Sequence, residues 1–215
     1  MSAPRTEMAI PIEWFHRFTL LDFRGALGQM EPPVSEMIRG YPTRPMFRCT
    51  LAYAAARLGD TDEAERELGE LGVDGFSALP VEMEWLFGMS LLSETSALLG
   101  ETKLAPSLYG LLLPWAALNV SDHPEGIRGS ASRYLGLLAT TLGRFETAEE
   151  HYEKALAMNE RLGLRPWLAR TQKDLARMLR LRGGPGDAER AEALEATALA
   201  TCAELGMASH RAAPA

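Results

Sequence analysis

Four basic residues, Arg170, Lys173, Arg177 and Arg180, follow one another at steps of three, four and three. On a 3.6-residue helix those steps put all four on one face. Across residues 166–182 five basic side chains, Arg182 included, oppose Asp174 alone, a local charge of +4 in a chain of net charge −7. Guanidinium forks bind planar oxyanions through paired hydrogen bonds, so such a stripe suits carboxylates, phosphates or an acidic peptide. Ala176 is small enough for a neighbouring helix to cross, which turns the stripe toward the inner side of a helical layer. Arg57 and Arg133 fall at comparable positions of earlier segments, and Tyr53, Phe87 and Glu94 are expected on the same face. The competing reading is a solvated charged face that complements acidic residues of the next helix.

Other chemistry finds less support. The four histidines, His16, His123, His151 and His210, show no metal-ligand spacing. His151, between Glu150 and Tyr152, is expected on an exposed helix stripe. Asp122, His123 and Glu125 make the one loop cluster with an acid–base pair. It reads more simply as a helix start, with Asp122 as cap and Pro124 in the first turn. No serine lies in a nucleophile-elbow sequence, and no glycine-rich phosphate loop ends in Lys-Ser or Lys-Thr. No catalytic residue, metal site or cofactor is therefore expected.

These residues need a scaffold, and the scaffold shows itself as a repeat. The pattern Gly-x-x-x-x-Ala occurs at Gly59, Gly100, Gly143 and Gly186, with a weaker copy at Gly25. Each glycine follows an apolar helical segment and precedes an amphipathic one. In 135–156, helix, turn and returning helix are clearest: Gly143 marks the turn, while Ala148, Tyr152 and Ala155 interlock the two helices. Asp60 to Asp62 and Asp187 supply helix starts, Pro42 and Pro114 supply stops, and 119–129 is the longest break in helical periodicity. The fold class predicted is all-α: about five antiparallel helix pairs stacked as a right-handed α-solenoid. The repeat domain spans 12–207, flanked by tails at 1–11 and 208–215.

This pattern resembles the tetratricopeptide repeat, through Leu135-Gly136, Gly143, Phe145, Ala148, Tyr152 and Ala155, and through Trp14, Gly25 and Pro42. The steps between turn glycines, 34 and then 41 to 43 residues, mostly exceed the usual repeat. The segments Tyr41–Arg48, Leu111–Pro114, Arg133–Gly136 and Arg165–Thr171 look like those of the C-terminal helical-repeat domain of LuxR-type ATP-dependent regulators and ATPase-linked cyclases. The resemblance implies a sensing or scaffolding module without the ATPase, cyclase or DNA-binding parts.

Composition narrows the partners. An acidic chain, pI near 5.2, lacks the basic surface that direct nucleic-acid binding needs. The most apolar run, Leu111 to Leu118, is too short to span a membrane, and no apolar leader follows Met1. Cys49 and Cys202 are expected as buried thiols in a reducing, cytoplasmic setting. Ile12, Trp14, Phe15, Phe18, Leu20, Leu21 and Phe23 are too many large apolar residues for one buried stripe. Such a helix must be covered: either the array is cut from a longer superhelix, or this end pairs with a second copy or another protein. The function expected is a non-catalytic binding module, a protein-interaction scaffold or regulator with a peptide in its concave groove. The alternative is an effector-sensing domain that binds a small anionic molecule.

Overall fold

The computed structural model describes residues 5–122 and 126–208. Helix α1 (Arg5–Phe23) is followed by a short 3-10 turn and α2 (Val34–Gly40). Four helix hairpins come next. They pair α3 (Met46–Leu58) with α4 (Thr61–Gly72), and α5 (Trp85–Leu99) with α6 (Ala105–Leu112). Then α7 (Ala131–Thr141) pairs with α8 (Phe145–Arg161), and α9 (Arg165–Arg182) with α10 (Asp187–Leu205). The chain is an all-α, tetratricopeptide-like solenoid.

Local chemistry accounts for the hairpins. Gly143 turns at φ 69°, a left-handed conformation that a side chain resists. The α4 helix starts where the Asp60 carboxylate accepts the Glu63 N–H. Across the α7–α8 hairpin, Gly136 lets the Tyr152 ring approach so closely that an added Cβ would stand 2.8 Å from it. Ala148, Tyr152 and Ala155 are all fully buried, as their spacing predicts.

The first helices of the pairs, α3, α5, α7 and α9, pack one on the next and form the inner layer; α4, α6, α8 and α10 lie outside. Helix α1 lies across the inner layer and fills its concavity. Trp14, Phe15 and Phe18 are buried there, with Phe15 stacked on Phe47 of α3 at 5.1 Å and edge-on to Phe87 of α5 at 6.0 Å. Trp14 donates its indole N–H to the Pro32 carbonyl at 2.8 Å. At its far end Phe23 meets Trp167 of α9 at 5.1 Å, and its carbonyl accepts the Ala208 N–H. What covers the apolar N-terminal helix is thus the rest of its own chain. The expectation of a second copy there is corrected, although Ile10 and Leu20 stay exposed. The helix also begins at Arg5, inside the segment expected as a tail.

Packing on both faces explains α5. Ser90, Ser93 and Thr95 are buried with their hydroxyls donating to carbonyls of their own helix, which satisfies these donors within α5.

Residues 119–130 depart from the helical plan. Strands β1 (Asn119–Asp122) and β2 (Gly126–Ser130) pair antiparallel, Val120 opposite Gly129 and Asp122 opposite Gly126. The helix start expected at Asp122 is therefore corrected: α7 begins at Ala131, where the Ser130 hydroxyl accepts the Ser132 N–H. His123 and Glu125 lie outside the described residues.

Candidate binding site

The inner layer carries a buried cluster of charged groups where α1, α3, α5, α7, α9 and β2 converge. Glu94, on α5, is its centre. One Glu94 oxygen accepts from Arg128 at 2.8 Å and from Arg133 at 3.2 Å, and the other accepts from Arg133 at 3.1 Å. Arg133 also donates to Asp174 at 2.7 Å. Arg170 donates to Asp22 of α1 at 2.7 Å, and Asp22 accepts the Tyr53 hydroxyl at 2.9 Å, with Arg57 3.8 Å away.

Each shift of ionisation has a local cause. Burial alone would raise the Glu94 carboxyl, but the guanidiniums of Arg133, Arg128 and Arg170 outweigh it and hold it far below the carboxylate range. For Asp22 the same contest is won by Arg170 and Arg57. Burial raises the Tyr53 phenol, which keeps it a neutral donor to Asp22.

Arg128 occupies the densest point. It is 2% exposed and sits within 5.1 to 5.8 Å of the ring centres of Tyr53, Phe87, Trp167 and Tyr134. Ser90 and Glu94 take its remaining hydrogen bonds. Ring quadrupoles and the Glu94 carboxylate together offset part of what so enclosed a cation loses in hydration.

Beside this cluster opens a cavity of about 60 Å³. Its charged wall comprises Arg57, Arg133, Arg170, Lys173 and Arg177, with the carboxylates of Glu94 and Asp174. The apolar wall is formed by Leu98 and Leu137, by Cys202 of α10, and by Met207 and Ala208 beyond it.

The expected site residues can now be placed. Arg133, Arg170, Lys173, Arg177 and Glu94 meet around this cavity. Tyr53 and Phe87 belong to the inner face but not to an open channel: α1 covers both, and each is 1% exposed or less. Arg180 leaves the group, because its guanidinium turns outward to Glu195 of α10. Arg180 thus pairs with the neighbouring helix, while Arg170, Lys173 and Arg177 line the cavity. His151 is corrected as well. It is 6% exposed, and its Nε2 shares a 2.9 Å hydrogen bond with the Tyr109 hydroxyl.

Two contributors escaped sequence reasoning. Asp22 sits in an apolar helix and Arg128 in the break between repeats, so neither falls on a helical face that points to the cluster. Their partners stand 148 and 34 residues along the chain. An ionisable residue inside an otherwise apolar helix was the one available signal for Asp22.

Among the described residues no group of histidine, cysteine or acidic side chains could hold a metal ion. None of their helices is long and apolar enough to cross a membrane. Both cysteines are free and buried, and burial pushes the Cys49 thiol up to about 12, far from thiolate chemistry.

A layer of stacked helix hairpins with a residue-lined concave face defines a helical-repeat solenoid. The tetratricopeptide-repeat family matches the chain twice, over residues 45–70 and 128–210. Those stretches are similar to tetratricopeptide repeats, a type that generally mediates protein–protein interaction and is typically non-catalytic. Comparisons with curated proteins and with solved structures give no match.

Proposed function

We propose that the protein is a non-catalytic binding module, a scaffold or regulator whose concave face holds a helical segment of another protein. One observation carries this reading: the face already holds a helix. It grips α1 in two ways, by aromatic stacking on Phe47, Phe87 and Trp167, and by the clasp of Arg170, Tyr53 and Arg57 on Asp22. A partner segment with the same chemistry, aromatic residues followed by an acid, takes the place of α1. A reducing, cytoplasmic setting belongs to the same reading, as does the resemblance to the C-terminal repeats of large regulators.

The probe is a labelled peptide of residues 8–24 added to the full chain, in which Asp22→Asn weakens the internal helix. Saturable binding by fluorescence anisotropy is expected, together with displacement by the peptide of proteins captured from the native host. Absence of saturable binding removes the proposal. A second reading, sensing of a small anion, is favoured by the cation-walled cavity.

A further inference from the structure

The cavity beside the charged cluster has a composition that the packing of a solenoid does not demand. A helix-on-helix interface is stable with apolar side chains alone, and buried ion pairs are often no more stable than apolar replacements of the same shape. Here five cationic groups and two carboxylates share one wall, which leaves a local charge of +3. The opposite wall is apolar, from Leu98 and Leu137 to Met207. Ionic attraction is stronger against such a wall than in open water.

Size and geometry narrow the occupant. A volume near 60 Å³ corresponds to roughly four to six water molecules. That is the scale of a carboxylate or phosphate group, and too small for a folded segment. The same side chains already show their taste. Arg170 and Arg57 hold the Asp22 carboxylate from the α1 side, and both also line the cavity. Arg133 shows that one guanidinium in this cluster serves two carboxylates at once, Glu94 and Asp174. Each guanidinium carries five N–H donors, so binding Asp22 does not exhaust Arg170.

We propose that this cavity is a binding site for a small free oxyanion, a carboxylate or phosphate, held by Arg57, Arg170, Lys173 and Arg177. The proposal rests on the concave face being the binding face, and it deepens that reading by assigning the face a second, small ligand. The anion lies at the end of α1, next to the Phe23–Ala208 contact, so its binding fastens that end and the segment after α10 to α9.

The test uses the intact chain with inorganic phosphate and with succinate as probes, at constant ionic strength set with sodium chloride. A saturable rise in thermal midpoint and a calorimetric binding isotherm with one or both probes are expected. The Lys173→Gln, Arg177→Gln double variant, changed at half-exposed positions, is expected to bind at least tenfold more weakly with unchanged helical circular dichroism. Lys173→Arg and the outward-facing Arg180→Gln are expected to bind like the parent. No saturable response in the parent, or undiminished binding by the double variant, overturns the proposal. So does binding of a capped acidic peptide when neither free anion binds, which would make the cavity a subsite for a side chain. Because the residue 8–24 peptide is read separately, loss of the anion site leaves the protein-binding proposal standing.

Discussion

Glu94 is a single carboxylate on which three arginines depend. Without Glu94, Arg133 keeps Asp174 and Arg170 keeps Asp22, but the buried Arg128 loses its carboxylate partner, and breaking such a buried pair typically costs about 3–5 kcal/mol. Glu94→Gln is therefore expected to lose stability of that order in urea unfolding, and a variant as stable as the parent would refute the central role. His151 gives a second, pH-dependent test. Burial against Tyr109, assisted by Lys154, lowers its pKa below the ordinary 6.5, while Glu150 opposes this. Below 6.5 the unfolded chain takes up the proton that the folded chain refuses, so stability falls as pH drops through 6.5 and levels off below the folded value. His151→Phe is expected to flatten that slope between about pH 7.5 and 5.5, as read by chemical denaturation at each pH.

At the scale of elements, what the sequence discloses is local and what it hides is long-range. The turn at Gly143, the cap at Asp60 and the interlock of Ala148, Tyr152 and Ala155 each depend on residues within a single hairpin, so spacing reveals them. Gly136→Ala is expected to cost about 1–3 kcal/mol by overpacking, seen as a lowered denaturation midpoint. The seat of α1 has no such signature. A helix with apolar residues all round declares that it is covered, but not by what, because the curvature that brings residue 22 to residue 170 accumulates over four hairpins. The β-hairpin was hidden for a different reason: 119–130 reads as a break in one period without declaring another. At this scale the expected test is hydrogen exchange. Asp22→Asn should speed amide exchange in residues 15–23 while leaving α7 and α8 protected, and unchanged exchange would show the clasp to be idle.

The whole molecule is a stack with its concavity filled from within. An intact chain is expected to scatter light as a monomer of 23.6 kDa. Deleting residues 1–24 bares the rings of Phe47, Tyr53 and Phe87, and such a patch drives association. The truncated chain is expected to form dimers or larger species, and a monodisperse truncated monomer would show that α1 covers nothing sticky.

The backbone bond from Ala208 to Phe23 gives this architecture an unusual history in time. Repeat arrays ordinarily assemble neighbour by neighbour, and nucleation can begin in any unit. Here the C-terminal end of α1 can settle only after α9 is made, because Arg170 follows Asp22 by 148 residues. At ordinary elongation speeds the ribosome needs roughly 7–30 s to supply that distance. Throughout this interval Asp22 and Phe23 stand without their partners on α9. The nascent chain thus offers a timed window for a chaperone, which closes when α9 meets the end of α1.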